Sequence, residues 1–153
     1  GRWGLRARFM YRYGNKVVNA ARMSLENMAT AYNQCSTVNW RWRKDGDITP
    51  IPRAIYVYDN GSAYNSQGSD RYVEDGSFVR FQNLQISYNF DKKLIKKWGI
   101  NRLQFYASVN NLFCWSHYSG VDPEISVGGW GVATDNSQTP RSKSFTASFQ
   151  VGF

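Results

Sequence analysis

A two-residue rhythm that returns four times constrains this chain more than any other feature. It is plainest at 145–153, FTASFQVGF, where Phe145, Ala147, Phe149, Val151 and Phe153 alternate with Thr146, Ser148, Gln150 and Gly152. Trp3 to Tyr13 does the same, with Trp3, Leu5, Ala7, Phe9, Tyr11 and Tyr13 on one side and Arg6, Arg8 and Arg12 on the other. Leu84, Ile86, Tyr88 and Phe90 oppose Asn83, Gln85, Ser87 and Asn89. Leu103, Phe105, Ala107 and Val109 oppose Arg102, Gln104, Ser108 and Asn110, with Tyr106 on that second side. Successive side chains of a strand point to opposite faces, so each run predicts a strand with one apolar and one polar face.

The connections are unequal. Residues 15–76 and 116–140 are long and rich in Gly, Pro, Ser and Asn, whereas 91–101 is short and basic. One helix-like piece is expected over Ala20 to Tyr32, and one helical turn within 91–101, where Leu94, Ile95, Trp98 and Ile100 give an apolar side. The order is strand, long loop, strand, short turn, strand, long loop, strand. Long loops at one end and short turns at the other are the pattern of an outer-membrane β-barrel. A soluble antiparallel sheet with one wet face alternates as well.

The content of the faces decides between them. The polar faces carry Ser, Thr, Asn, Gln and Gly more than Lys and Glu, which suits a crowded wet interior, and the apolar faces are rich in Phe and Tyr toward their ends. The nine residues from Phe145 to Phe153 match the ~9–11 that a tilted strand needs to cross lipid. An arginine facing lipid at mid-depth costs ~2–4 kcal/mol, so Arg6, Arg8 and Arg12 are expected to point into a lumen. Gln85, Asn89, Gln104 and Asn110 are expected to line it with them. The net charge of +8 then needs no nucleic acid to explain it.

The expected fold is all-β: a transmembrane antiparallel barrel segment with strands at about 3–14, 77–90, 102–115 and 141–153. Loops at about 15–76 and 116–140 are expected outside, and a turn at about 91–101 in the periplasm. Four strands cannot close a barrel, and an open edge in lipid is not tolerated. The chain is therefore expected to complete a barrel with other polypeptide or to assemble from several copies. An arginine-dotted strand pattern from residue 2 leaves no room for a secretion leader. That predicts either a cytosolic protein or a mature or internal piece of a longer one. No apolar run approaches the ~18 residues of a membrane helix.

Several motifs carry a family resemblance that runs over nearly the whole chain and is strongest from Glu74 onward. EDGSFVRFQNLQISYNF (74–90), KKLIKKWGINRLQFYASVNNLF (92–113), GVDPE (120–124) and the terminal Phe153 after Pro140 and Arg141 resemble the C-terminal part of SusC/RagA-type TonB-dependent outer-membrane transporters of Bacteroidetes. YGNKVVNAAR (13–22), RWRKDGD (41–47) and IPRA (51–54) resemble a long external loop of these proteins. The resemblance implies a 22-stranded barrel with an N-terminal plug, of which this chain supplies the last four strands. It implies import of glycans or peptides beneath a SusD-like lipoprotein lid. TonB-ExbB-ExbD would supply the energy through an N-terminal part that this chain lacks. It further implies that Phe149, Val151 and Phe153 belong to the signal read during barrel assembly, with outer-membrane lipid around the apolar face.

Other constellations carry less. His117 is the sole histidine and Cys35 and Cys114 stand far apart, so no metal-ligand spacing appears; a disulfide between the two stays open. Asp122 and Glu124 flank Pro123, either as loop packing or as part of a calcium site, though hard cations want six or more oxygens. Trp40, Trp42, Tyr56, Tyr58 and Tyr64 are candidates for stacking on sugar rings or meeting the lid, or for packing their own loop. Lys92, Lys93, Lys96 and Lys97 read as a solvated face near anionic head groups. No cofactor is expected, and no nucleophile–base or paired-carboxylate arrangement supports an enzyme. Two other readings compete: a homo-oligomeric secretion or adhesin pore, and a soluble lectin-like β-domain.

Overall fold

The computed structural model describes residues 1–29, 32–55, 67–124 and 132–153. The chain divides into two compact units, residues 1–14, 76–117 and 140–153 in the first and 15–75 and 118–139 in the second. Among the described residues no helix is long and apolar enough to cross a membrane.

The first unit is a four-stranded antiparallel sheet. Its strands are β1 (Trp3–Arg12), β4 (Phe78–Asn89), β5 (Arg102–Ser116) and β7 (Ser144–Gly152), in the order β1-β4-β5-β7. The remaining strands, β2 (Lys16–Asn19), β3 (Val73–Asp75) and β6 (Ala133–Asp135), belong to the second unit. The register turns the four sequence rhythms into rows that cross the sheet. Trp3 faces Tyr88, Tyr88 faces Phe105 and Phe105 faces Phe149, an aromatic row over all four strands. Ring centroids are 4.6 Å apart for Trp3–Tyr88 and 5.0 Å for Phe105–Phe149. Next come two largely aliphatic rows, Leu5–Ile86–Ala107–Ala147 and Ala7–Leu84–Val109–Phe145. A second aromatic zone closes the face with Phe9–Phe81–Phe113 and Tyr11–Val79–Trp115.

A bulge permits that second zone. The register slips between Arg8 and Phe9 against β4, and between Phe81 and Asn83 against β5. Phe81 and Val79 thereby stay on the apolar face although strict alternation from Leu84 would turn them away. Asn111 adopts φ 53 at the same level. The β5–β7 ladder ends there, at Asn110–Ser144, and Asn111 instead donates its amide to the Ser142 carbonyl at 3.0 Å. For this reason β7 begins at Ser144 rather than near 141. At the other side β1 stops at Arg12 because Gly14 takes φ 79.

Between β4 and β5 lies a single helical turn, α2 (Lys92–Ile95), continued by a 3-10 turn, Lys96–Trp98. Asp91 caps it by accepting from the Lys93 N–H at 3.0 Å, and Gly99 at φ 71 ends it. Ile95 is fully buried beneath.

The second unit is more than a pair of loops. β2 pairs antiparallel with β3 and parallel with β6, giving the order β3-β2-β6. The helix α1 (Ala20–Leu25) follows β2, capped by the Asn19 carboxamide, which accepts from the Arg22 N–H at 2.8 Å. It is shorter than the Ala20–Tyr32 pattern suggests: its C-cap is Glu26, whose carboxylate is turned inward to two arginines. Val17, Val38, Ile51, Tyr72 and Tyr118 are buried in this unit.

Candidate functional site

The polar face of the four-stranded sheet gathers all seven polar residues singled out on the strands. Alternation along β1 puts Arg6, Arg8 and Arg12 on one side, with about 7 Å along the strand from Arg6 to Arg8 and about 14 Å from Arg8 to Arg12. Arg6 lies opposite Gln85, and Arg8 opposite Asn83. Asn83 donates to the Asn110 carboxamide oxygen at 2.7 Å, and Asn110 donates to Ser144 Oγ at 3.0 Å. A hydrogen-bonded rung thus crosses three strands beside Arg8. Asn89 faces Gln104, which faces Gln150 and accepts from Arg102 at 3.0 Å. Among the described residues no carboxylate pairs with Arg6, Arg8 or Arg12. This face therefore presents fixed positive charge above amide and hydroxyl groups, a surface able to bind anions and hydroxylated groups without acid–base chemistry.

Arg80 belongs to the same face and is almost fully buried, its guanidinium 5.8 Å from the Phe78 ring. The sequence rhythm misses it because the bulge intervenes between Arg80 and the run that starts at Asn83.

The opposite face is bare. Leu5, Phe145 and Phe149 are 74%, 75% and 65% exposed, and Trp3, Phe9, Tyr11, Phe113 and Trp115 are also exposed. Phe149 and Val151 lie on this apolar side of β7, and Phe153 follows the strand, exposed. Soluble proteins rarely leave so large an apolar surface uncovered.

The second unit holds a cleft of about 830 Å³, lined by Leu25, Trp40, Ile51 and Val121 with Arg22 and Asp135 among its polar groups. Trp40 is exposed at the end of a 3-10 turn, Ser36–Trp40, and Trp42 is half-buried with its N–H bonded to the Ile51 carbonyl at 2.9 Å. Of the loop aromatics named from sequence, Trp40 alone is described at the cleft; Tyr56, Tyr58 and Tyr64 lie outside the described residues.

A polar network forms one wall of that cleft. The buried Glu26 carboxylate accepts from Arg22 Nε at 2.9 Å and Arg71 at 2.8 Å. Arg22 also reaches Glu74 at 3.1 Å. Glu74 accepts further from the Ser119 N–H at 2.9 Å, Ser119 Oγ at 2.8 Å and the Asn19 amide at 3.2 Å. The hydrogen bond to Glu26 raises the Arg22 pKa; burial opposes it, and Glu74 adds to the rise. Burial pushes the Glu74 carboxyl up, but the Ser119, Arg22 and Asn19 hydrogen bonds outweigh it, and the net shift is downward. Tyr118 donates to Asp135 at 2.7 Å; burial first, then that partner, hold its phenol well above its ordinary range. Arg71, Glu74 and Ser119 are not flagged by spacing, since their partners lie far off in sequence, 45 residues for Arg71–Glu26 and for Ser119–Glu74 and 55 for Asn19–Glu74.

The remaining candidates are placed simply. His117 is exposed, no disulfide joins Cys35 and Cys114, and Asp122 accepts from the Glu124 N–H at 3.0 Å in a local turn around Pro123. Among the described residues no three His, Cys, Asp or Glu side chains gather as a metal site.

No protein-family model matches the chain. It is similar to TonB-dependent receptors of Formosa agariphila, at 31% identity over 79% of this chain and 12% of the relative, and at 26% over 95% and 14%. It is also similar to the TonB-dependent receptor SusC of Bacteroides thetaiotaomicron, at 31% identity over 56% of this chain and 8% of that protein. Among solved structures, the RagAB peptide transporter superposes over 99% of this chain and 16% of its own, with a TM-score of 0.79 and 26% identity. The RagAB peptide importer in its open-open state superposes with a TM-score of 0.80 at the same identity and coverage. The chain spans 8–16% of the length of these proteins. Its rows, its bare apolar face and these likenesses together make it a fragment of a SusC/RagA-type TonB-dependent receptor.

Proposed function

We propose that this chain supplies the last four strands of an outer-membrane β-barrel that imports nutrients, glycans or peptides, together with a SusD-like lipoprotein. It acts as part of a transporter, not as an enzyme. The observation that carries the reading is the two-sided sheet: one face exposed and apolar between two aromatic zones, the other bearing Arg6, Arg8 and Arg12. From the Trp3 row to the Tyr11 row is about 27 Å along the strand. At the usual tilt this spans roughly 20 Å of depth, near the ~25 Å apolar band of such barrels. In this reading the apolar face meets lipid, and Arg6, Arg8, Arg12, Gln85, Asn89, Gln104 and Asn110 line the lumen. The plug, the other strands and the segment that engages TonB-ExbB-ExbD come from the rest of the transporter. Trp40, at the mouth of its cleft, meets cargo or the lipoprotein.

Nitroxide labels in the reconstituted full-length transporter test the assignment of faces. Labels replacing Ala147 and Phe149 are expected to meet dissolved oxygen, and labels replacing Thr146 and Ser148 a water-soluble quencher. The reverse pattern overturns the reading.

A further inference from the structure

The turn between β4 and β5 has an unusual surface. Lys92, Lys93, Leu94, Lys96, Lys97 and Trp98 are all exposed, Leu94 at 62% and Trp98 at 72%. Leu94 and Trp98 are four residues apart, as are Lys92 and Lys96, and Lys93 and Lys97, so a helical turn sets the apolar pair directly beside lysines. Ile95 is the inward anchor, at 1% exposure. Asp91, the one carboxylate between residues 90 and 102, is already taken by Arg2 and by the Lys93 N–H. Among the described residues none of the four lysines makes an ion pair.

Its position in the fold says what it meets. The turn joins the ends of β4 and β5 next to the aromatic row Trp3–Tyr88–Phe105–Phe149, which bounds the bare apolar face. An indole and a leucine that protrude among lysines suit the boundary layer of a bilayer, where the ring sits at head-group depth and the ammonium groups reach phosphates. We propose that this Lys-Leu-Trp turn is a docking site for anionic phospholipid head groups of the periplasmic leaflet. The inference rests on the barrel reading given above. Leu94 and Trp98 enter the interface, Lys92, Lys93, Lys96 and Lys97 supply the charge selectivity, and the buried Ile95 and left-handed Gly99 hold the turn in its shape.

The test uses the full-length transporter in bilayers containing spin-labelled phosphatidylglycerol or phosphatidylcholine. The unsubstituted protein is expected to prefer phosphatidylglycerol at its perimeter. Lys92→Gln, Lys93→Gln, Lys96→Gln and Lys97→Gln combined should lower that preference about tenfold, as should high salt, which screens such contacts. The corresponding four Lys→Arg substitutions should retain it, and heat-modifiable gel mobility checks that each variant is a folded barrel. A nitroxide replacing Trp98 should read head-group depth. A preference unchanged by the Gln substitutions, or a Trp98 label in open water, overturns the proposal, including the case in which an acidic protein segment covers the turn. Labels replacing Ala147 and Phe149 separate the two ideas: found in lipid while the Trp98 label is in water, they sink the docking site alone; found in water, they sink the barrel.

Discussion

The carboxylate of Glu74 gathers four donors: Arg22, the Asn19 amide, and both the N–H and the hydroxyl of Ser119. Its folded pKa lies below the ordinary 4.5. A depressed carboxyl stabilises the fold fully above its unfolded value and loses that contribution as pH falls through the folded one. Protease resistance of the second unit in the full-length protein should therefore decline as pH drops below that ordinary value. Glu74→Gln should weaken resistance already at neutral pH and make the acid decline shallower. Gly120 makes a different demand. A Cβ there would collide with the ring edge and hydroxyl of Tyr118, so Gly120→Ala must displace the phenol whose hydroxyl donates to buried Asp135. A loss of about 1–3 kcal/mol is expected, read as a lower melting temperature of the second unit.

At the scale of elements, β7 carries the plainest contrast. Ala147 lies in the aliphatic row with Leu5, Ile86 and Ala107, whereas Ser148 lies opposite Tyr106 on the polar face. Ala147→Arg should cost ~2–4 kcal/mol in the bilayer, and Ser148→Arg much less. The fraction of heat-modifiable barrel recovered from outer membranes measures the difference; equal recovery would contradict the lipid assignment. These strands were legible in the sequence because a half-buried strand must alternate, and Phe145 to Phe153 does so without interruption. Arg80 was not legible, since an added residue at the bulge inverts the phase that the eye follows. The sheet of β2, β3 and β6 was hidden for another reason. Its strands are three or four residues long, too short for a rhythm, and they are fixed by side chains such as Glu74 and Ser119, which carry no signal until the chain has folded.

At the scale of the whole molecule, the arginine column of β1 is the feature with the widest reach. In the full-length transporter, Arg6→Gln with Arg8→Gln should leave barrel assembly unchanged, because neither side chain lies on the apolar face. Uptake of anionic cargo should fall several-fold while neutral cargo is spared, an effect that grows at low ionic strength. Equal loss for both cargo types would assign the arginines to structure instead.

The parallel pairing of β2 with β6 joins Val17, Val18 and Asn19 to Ala133, Thr134 and Asp135. More than a hundred residues separate these partners, so closing the second unit is a high-contact-order event that cannot precede delivery of residue 135. A ribosome or export machine that releases this stretch from its N-terminal end leaves Lys16–Asn19 waiting for nearly the full run. The second unit is therefore timed to mature late, after the β1–β4 and β4–β5 ladders have had their chance to form. A frameshift or nick far downstream would strike residues near the start of the stretch.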